Sequence, residues 1–397
     1  MTGILWEWAE MAVRWLHVIA GIAWIGSSFY FIALDLSLKQ RAGLPEGAGG
    51  EAWQVHGGGF YNMVKYLVAP ARMPDELTWF KWEAYTTWLS GMGLLVLVYY
   101  LQAELFMIDA GVMELSPAMA VAVSIGGLAL GWLVYDLLCR SPLGRSDTAL
   151  ALVGFVFLVA LAWLFTLVFS GRGMIMQMGA LIGTMMVANV FLLIIPNQKK
   201  VVADLIAGRT PEPKLGQQAK QRSLHNNYLT LPVIFTMIAN HYPLAFASRW
   251  NWLILAVVLV IGAVIRHFFN VKHKTGKGPL WTWGAAALGL AAIVWLSAQP
   301  ATEVEAAAAG EVDFAAVENV VLSRCSMCHA AEPLWEGITV PPKGVVLETP
   351  AQIRAHARAI RMQAVVTHAM PPGNITFIEE EERRVLAAWL AAGAPAW

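Results

Sequence analysis

Cys325, Cys328 and His329, in the run CSMCH, are the residues whose types and spacing speak most directly of chemistry. Two thiols one helical turn apart can take the vinyl groups of a haem as thioethers, and the adjacent imidazole then reaches the iron from the same side. A redox dithiol or half of a zinc site are the competing readings. The first asks for a βαβ setting and the second for another ligand pair. Neither is present, since the one other cysteine, Cys139, is far away in a hydrophobic segment. The spacing predicts covalent haem c. In AMPPGN (369–374) Met370 precedes a Pro-Pro turn that presents its thioether rigidly, which suits it as the second axial ligand. Met362, inside a helical stretch, is the second choice. A His/Met pair raises a haem's potential, so this domain is expected to accept electrons.

A second set of candidates lies inside long apolar runs, where ionisable residues are costly and point to function. They are Arg14, His17, Asp136, His225, His241, Arg266 and His267. His225 and His241 are 16 residues apart, about 24 Å along a helix, so one helix offers a histidine to each face of a bilayer. By depth His17 can meet His241, and His267 can meet His225. That arrangement would suit a redox path, with b haem held by histidine pairs as one form of it. Interfacial histidines satisfied by water or backbone are the other reading, and both stay open. Gln177, Asn189, Asn226, Asn227, Arg266 and Asn270 could bind a polar heterocycle or simply pair helices.

The elements that must position these residues follow from composition. Of 397 residues 58% are hydrophobic and 14% charged, with 18 Trp, which argues against an ordinary soluble protein. A net charge of zero gives no reason to expect a nucleic-acid partner. Three cysteines exclude a disulfide framework, and no cleavable signal peptide is visible before Met11. Apolar runs of membrane-crossing length predict eight spanning helices, near 11–34, 83–101, 117–138, 147–169, 174–196, 228–247, 251–270 and 280–298. The fold class expected is therefore all-α: a bundle of eight transmembrane helices (1–298), a linker (299–313) and a small soluble cytochrome c domain (314–397). Sixteen Lys and Arg fall in the loops after helices 1, 3, 5 and 7, against only Arg172 and Arg249 in the alternate loops. The positive-inside rule then puts both termini outside the cytoplasm, where haem c is attached. Two cytoplasmic loops are long, 35–82 and 197–227, and GGGFYNMVKYLVAP in the first is a candidate interfacial stretch.

Three membrane stretches carry a family likeness: WLHVIAGIAWIGSSFYF (15–31), GRGMIMQMGALIGTMMVANVFLLIIPNQKK (171–200) and RSLHNNYLTLPVIFTMIANHYPLAF (222–246). With the fused cytochrome they resemble the membrane-bound, cytochrome-c-fused urate oxidases, the urate hydroxylase PuuD family. The resemblance covers essentially the whole chain. It implies oxidation of urate to 5-hydroxyisourate with water as oxygen source. It also implies that electrons pass to haem c and on to a downstream cytochrome c or terminal oxidase, in a bacterial inner membrane. Only Cys325, Cys328, His329 and Met370 match the family's cytochrome motif residue by residue. Urate is expected near the inner-side cluster of His225, Asn226, Asn227, Arg266 and His267, because purine breakdown is cytoplasmic. The competing function is an electron-transfer subunit that relays electrons from quinol or a partner dehydrogenase. A transporter or redox-gated sensor ranks last, because midplane polarity is sparse.

Overall fold

A computed structural model describes residues 2–68, 70, 73–299 and 313–395. The chain is 69% helix and 5% strand. Helix α1 (Thr2–Ser37) is followed by an antiparallel hairpin, β1 (Ala48–His56) and β2 (Gly59–Tyr66). Helix α2 (Trp82–Leu94) continues through a π-helical turn, Leu95–Tyr100. Then come α3 (Pro117–Arg140), α4 (Asp147–Thr166) and α5 (Gly171–Ile206), the last with a π-helical turn at Asn189–Ile194. Helices α6 (Pro213–Ala239), α7 (Asn251–Thr275) and α8 (Trp281–Ser297) complete the bundle. By length and composition α1, α3, α4, α5 and α7 can each cross a membrane, and α8 is apolar but shorter.

Local chemistry explains the boundaries. Ser116, Ser146 and Ser170 each accept a backbone N–H at a helix start, the cap that the first orphan donors require. Gly276, in the left-handed region at φ 81°, ends α7 after Lys272, His273 and Lys274, whose charges suit a helix C-terminus. Helix α5 is central, with Met174, Ile175, Met178, Leu181 and Ile182 fully buried. Small residues allow its close approaches. A Cβ on Gly179 would sit 2.5 Å from Thr236 Oγ1 on α6, and one on Gly131 2.4 Å from Leu181 Cδ1. On α6 Pro232 is tolerated inside the helix, its ring filling the space left by Gly262 on α7.

Two expectations are corrected. The all-α expectation fails at 48–66, where a hairpin stands in a segment expected to be loop. Alternating side chains flank Gly57 and Gly58, whose φ of 58° and 80° fit a two-residue primed turn. The long loop 197–227 is mostly helix: α5 runs to Ile206, and α6 begins at Pro213, a residue suited to the first helical position. A sixth span starting at 228 therefore misses the first four turns of α6.

Residues 313–395 form a second core. Helix α9 (Phe314–Arg324), capped by Asp313, packs with α10 (Glu380–Ala391), which carries three glutamates in its first turn. Val317, Val321, Ile353, Leu386 and Trp389 are fully buried between them. The expected linker, 299–313, lies almost wholly outside the described residues. This C-terminal unit rests on the bundle at the end where α1 begins, here called the top. The loop before α10 makes the contact. His368 N–H donates to Ala247 O at 3.4 Å, and Ala369 joins the core cluster of Met107, Phe169 and Phe246. Gly373 lies so close that a Cβ there would be 2.5 Å from Ile108 O.

Candidate functional site

Residues 222–228 of α6 carry two groups of polar side chains that point in different directions. Arg222, His225 and Asn226 follow i, i+3, i+4 spacing and so share one face; Asn227 is rotated about a quarter turn from Asn226. The five residues expected to form one cluster, His225, Asn226, Asn227, Arg266 and His267, are thus split between two sides of α6.

Facing α3 and α5 is a closed network. Arg222 donates to Asp136 Oδ1 at 2.7 Å and to Asn189 Oδ1 at 3.0 Å, with its guanidinium 4.8 Å from the centre of the Tyr135 ring. Asn189 Nδ2 donates to Tyr135 Oη and to Asn226 Oδ1, both at 2.9 Å. Tyr135 Oη is 2.8 Å from His225 Nδ1, and Cys139 Sγ stands 4.0 Å from the same nitrogen. Arg222, Asp136, Asn189 and Asn226 are all buried. Each of those groups has its partner, so the network reads as structure: a buried charge pair held in place by amides.

Facing α7 and α1 the inventory differs. Arg266 Nε donates to Asn227 Oδ1 and its Nη2 to Asn270 Oδ1, both at 3.3 Å. Its guanidinium carbon lies 3.8 Å from the centre of the Phe29 ring. Asn270 Nδ2 also donates to Asn227 Oδ1, at 3.0 Å. Among the described residues no carboxylate pairs with Arg266, although it is only 6% exposed. Asn227 is fully buried, and among the described residues its Nδ2 has no acceptor. Beside this group His267 Nδ1 is 3.3 Å from Tyr228 Oη. A buried cation without a counter-charge, next to an unsatisfied amide donor and an aromatic face, suits a planar, acceptor-rich anion.

The other histidines stand apart. His17 Nδ1 is 2.9 Å from Thr87 O and 3.1 Å from Ser90 Oγ, both on α2, while His241 is exposed at the top of α6. The expected meetings of His17 with His241 and of His225 with His267 are therefore absent from the described contacts. The partners of these histidines are on neighbouring helices, because side-chain direction and not depth alone decides contact.

In the C-terminal unit, His329 Nδ1 is 3.0 Å from Val345 O, a bond that fixes the ring and leaves Nε2 free for iron. Met370 is half-buried, and its backbone is held on both sides: its N–H donates to Gln363 O and its carbonyl accepts from Arg383 Nη1 at 3.0 Å. Burial pushes the Cys325 thiol up to about 12, opposed by the nearby Arg383 charge. Arg383 Nη1 also donates to Ala364 O at 2.7 Å, which ties the Met370 loop to the helical turn before it. Met362 is 36% exposed on the outside of its π-helical turn. Two thiols, an anchored imidazole and a clamped thioether suit a covalently held haem c.

Sequence reading missed Phe29, Tyr135 and Tyr228 as site neighbours, and it counted Arg222 as a loop charge. The spacing of Arg222, His225 and Asn226 was the available signal, hidden by starting the helix at 228. No curated protein and no solved structure matches the chain. The family model described as urate oxidase N-terminal matches residues 3–297, the whole bundle. The chain therefore belongs to the urate oxidase N-terminal family.

Proposed function

We propose that the protein oxidises urate to 5-hydroxyisourate in the membrane, taking the new oxygen from water and passing electrons to a covalent haem c. One observation carries the placement of the substrate: among the described residues, buried Arg266 lacks a carboxylate while Asn227 Nδ2 beside it lacks an acceptor. Urate is a planar anion edged with carbonyl acceptors. Arg266 supplies the charge, Asn227 Nδ2 a donor for a carbonyl, and Phe29 an aromatic face. The reaction adds hydroxyl from water at C5 and releases two protons and two electrons. His267, whose Nδ1 is within reach of Tyr228 Oη, is the base assigned to the water, since an imidazole nitrogen can accept a proton while the other is held by a partner.

Cys325 and Cys328 would hold haem c covalently, His329 and Met370 would be the side chains offered to its iron, and the group would supply one-electron acceptance. The residues around it set the route. The loop bearing Met370 lies against the top of the bundle, which makes the Met370 side the face of the C-terminal unit nearest the bundle. His17 and His241 remain candidates along that route or as b-haem ligands, although no contact between them is found among the described residues. Both termini are assigned to the extracytoplasmic side, and a soluble cytochrome c or terminal oxidase is the expected acceptor.

Anaerobic addition of urate to the purified, oxidised protein tests this. Urate should reduce haem c with no partner present, and Arg266→Gln should weaken the response on the order of 30-fold or more, as expected for a lost charged contact. Failure with urate but reduction by a quinol would reverse the assignment in favour of an electron-relay subunit.

A further inference from the structure

The hairpin β1–β2 does not hang free below the bundle; it turns back along α1. Three contacts fix its direction. The backbones of Glu51 and Lys39 pair, Lys65 Nζ meets Asp35 at 2.8 Å, and Tyr30 Oη donates to Gln54 Oε1 at 2.8 Å. Moving along β1 from Glu51 to Gln54 therefore moves along α1 from Lys39 back to Tyr30, toward the bundle.

The depth of Tyr30 follows from the helices. Asn189 is eighteen residues below Gly171, about 27 Å at 1.5 Å per residue. Asn189 is bonded to Asn226, whose neighbour Asn227 is bonded to Arg266, which stacks on Phe29. Phe29 and Tyr30 thus lie about one hydrocarbon thickness, ~30 Å, below the top. From Gln54 the strand continues for about 10 Å at ~3.3 Å per residue. The tip therefore climbs back to the level of the lower leaflet.

Its surface changes character along that path. At the base Glu51 accepts from Trp53 Nε1 and Asn62 Nδ2, with Arg41 at 3.6 Å. Toward the tip the face turned away from α1 carries Trp53, Val55 and Phe60, which are 56%, 68% and 78% exposed. Val55 and Phe60 are cross-strand partners, and Trp53 stands two residues before Val55 on the same face, with polar Asn62 opposite it marking where the apolar patch ends. The glycines of the turn add no charge. A polar base with an aromatic and aliphatic tip is the distribution that membrane interfaces select. Open strand edges limit the depth, because unpaired N–H and C=O groups are not tolerated in hydrocarbon.

We propose that the tip of β1–β2 is seated in the lower leaflet, at the boundary of headgroups and acyl chains, as a lateral lipid anchor. Because Tyr30 holds the hairpin and adjoins Phe29, the anchor also braces the wall against which Arg266 stacks. The proposal rests on reading the bundle as membrane-spanning.

The test uses full-length, haem-loaded protein in nanodiscs of phosphatidylcholine and phosphatidylglycerol. Nitroxide labels are placed at Phe60→Cys, Glu46→Cys and Leu152→Cys in turn. Unmutated protein carried through the same labelling corrects for Cys139, and haem absorbance confirms folding. Label accessibility to oxygen and to a neutral nickel chelate then reports depth. Oxygen should dominate at position 60, as at 152 on the outside of α4, whereas nickel should dominate at 46. Nickel dominance at 60 with oxygen dominance at 152 overturns the anchor and leaves the membrane reading standing. Nickel dominance at 152 overturns both. Dipolar broadening between labels at 60 places the tip against a second copy of the chain and likewise overturns the lipid assignment.

Discussion

Gly373 is the position at which one added carbon should separate the two units. Its φ of 57° and ψ of 15° lie in the left-handed region, where an alanine costs about 1–2 kcal/mol. That cost acts on the loop whether or not it is docked. The docking term is separate: a Cβ would stand 2.5 Å from Ile108 O and 2.7 Å from Glu104 O, both backbone atoms that cannot swing away. Overpacking of this kind costs about 1–3 kcal/mol, which lowers the docking equilibrium by a factor of about 5 to 150. Gly337, at φ 84° with nothing within 4 Å, supplies the control, since Gly337→Ala carries the backbone cost without the clash. Hydrogen exchange of 103–109 and 242–247 at the top of the bundle is the direct assay. Gly373→Ala should lose protection there, Gly337→Ala should keep it, and the haem absorbance bands should be unchanged in both. Urate-driven haem reduction should slow in the first variant alone. Equal protection in the two variants would refute the claim that the Met370 loop holds the units together.

Three further outcomes follow from the same geometry. Met370→Ala should leave haem attached through Cys325 and Cys328 but lower its potential, whereas Met362→Ala should leave the potential unchanged; redox titration separates them. Asp136→Ala strands Arg222 in a buried site, so thermal stability should fall by an amount equivalent to about 3–5 kcal/mol. The double variant Asp136→Leu with Arg222→Met should recover most of that loss but not all, because Asn189 Oδ1 is left without its donor. Asn227→Asp should weaken urate binding without lowering the melting temperature, because it removes the unpartnered Nδ2 donor and adds negative charge beside the substrate site, while an acceptor oxygen is kept for Arg266 and Asn270. Asn226→Leu should do the reverse, since Asn226 bonds to both Asn189 and the Met186 carbonyl. Equilibrium dialysis with labelled urate, beside a melting curve, distinguishes the two.

Much of the architecture was legible because the length of an apolar run and the period of a helix constrain a chain strongly. Apolar runs placed all eight long helices of the bundle to within a turn or two at most ends, and serine caps marked several of the starts. The beginning of α6 was not legible. Its first four turns are polar, with Lys214, Gln217, Gln218, Lys220 and Gln221, and a search for apolar runs passes over them. The hairpin was hidden for a related reason: GGEAWQVHGGGFYNMVKY alternates like a strand, but its glycines and its place between two helices read as loop.

The sequence by itself determined which residues are candidates for chemistry. CSMCH and the Pro-braced Met370 are local patterns, and their chemistry depends on spacing within a few residues. It could not determine which of the polar residues in the helical bundle act together. Asn226 and Asn227 are adjacent in the chain, yet the pitch of α6 turns one into a satisfied network around Arg222 and the other toward Arg266, Asn270 and Phe29. Only the packing of α6 between α5 and α7 decides which side chain keeps a partner and which is left wanting one. The same holds at the top, where the docking of Gly373 onto Ile108 O joins two units separated in sequence by more than 250 residues. Contacts between elements follow from side-chain direction and surface fit, neither of which is written in a run of neighbouring residues.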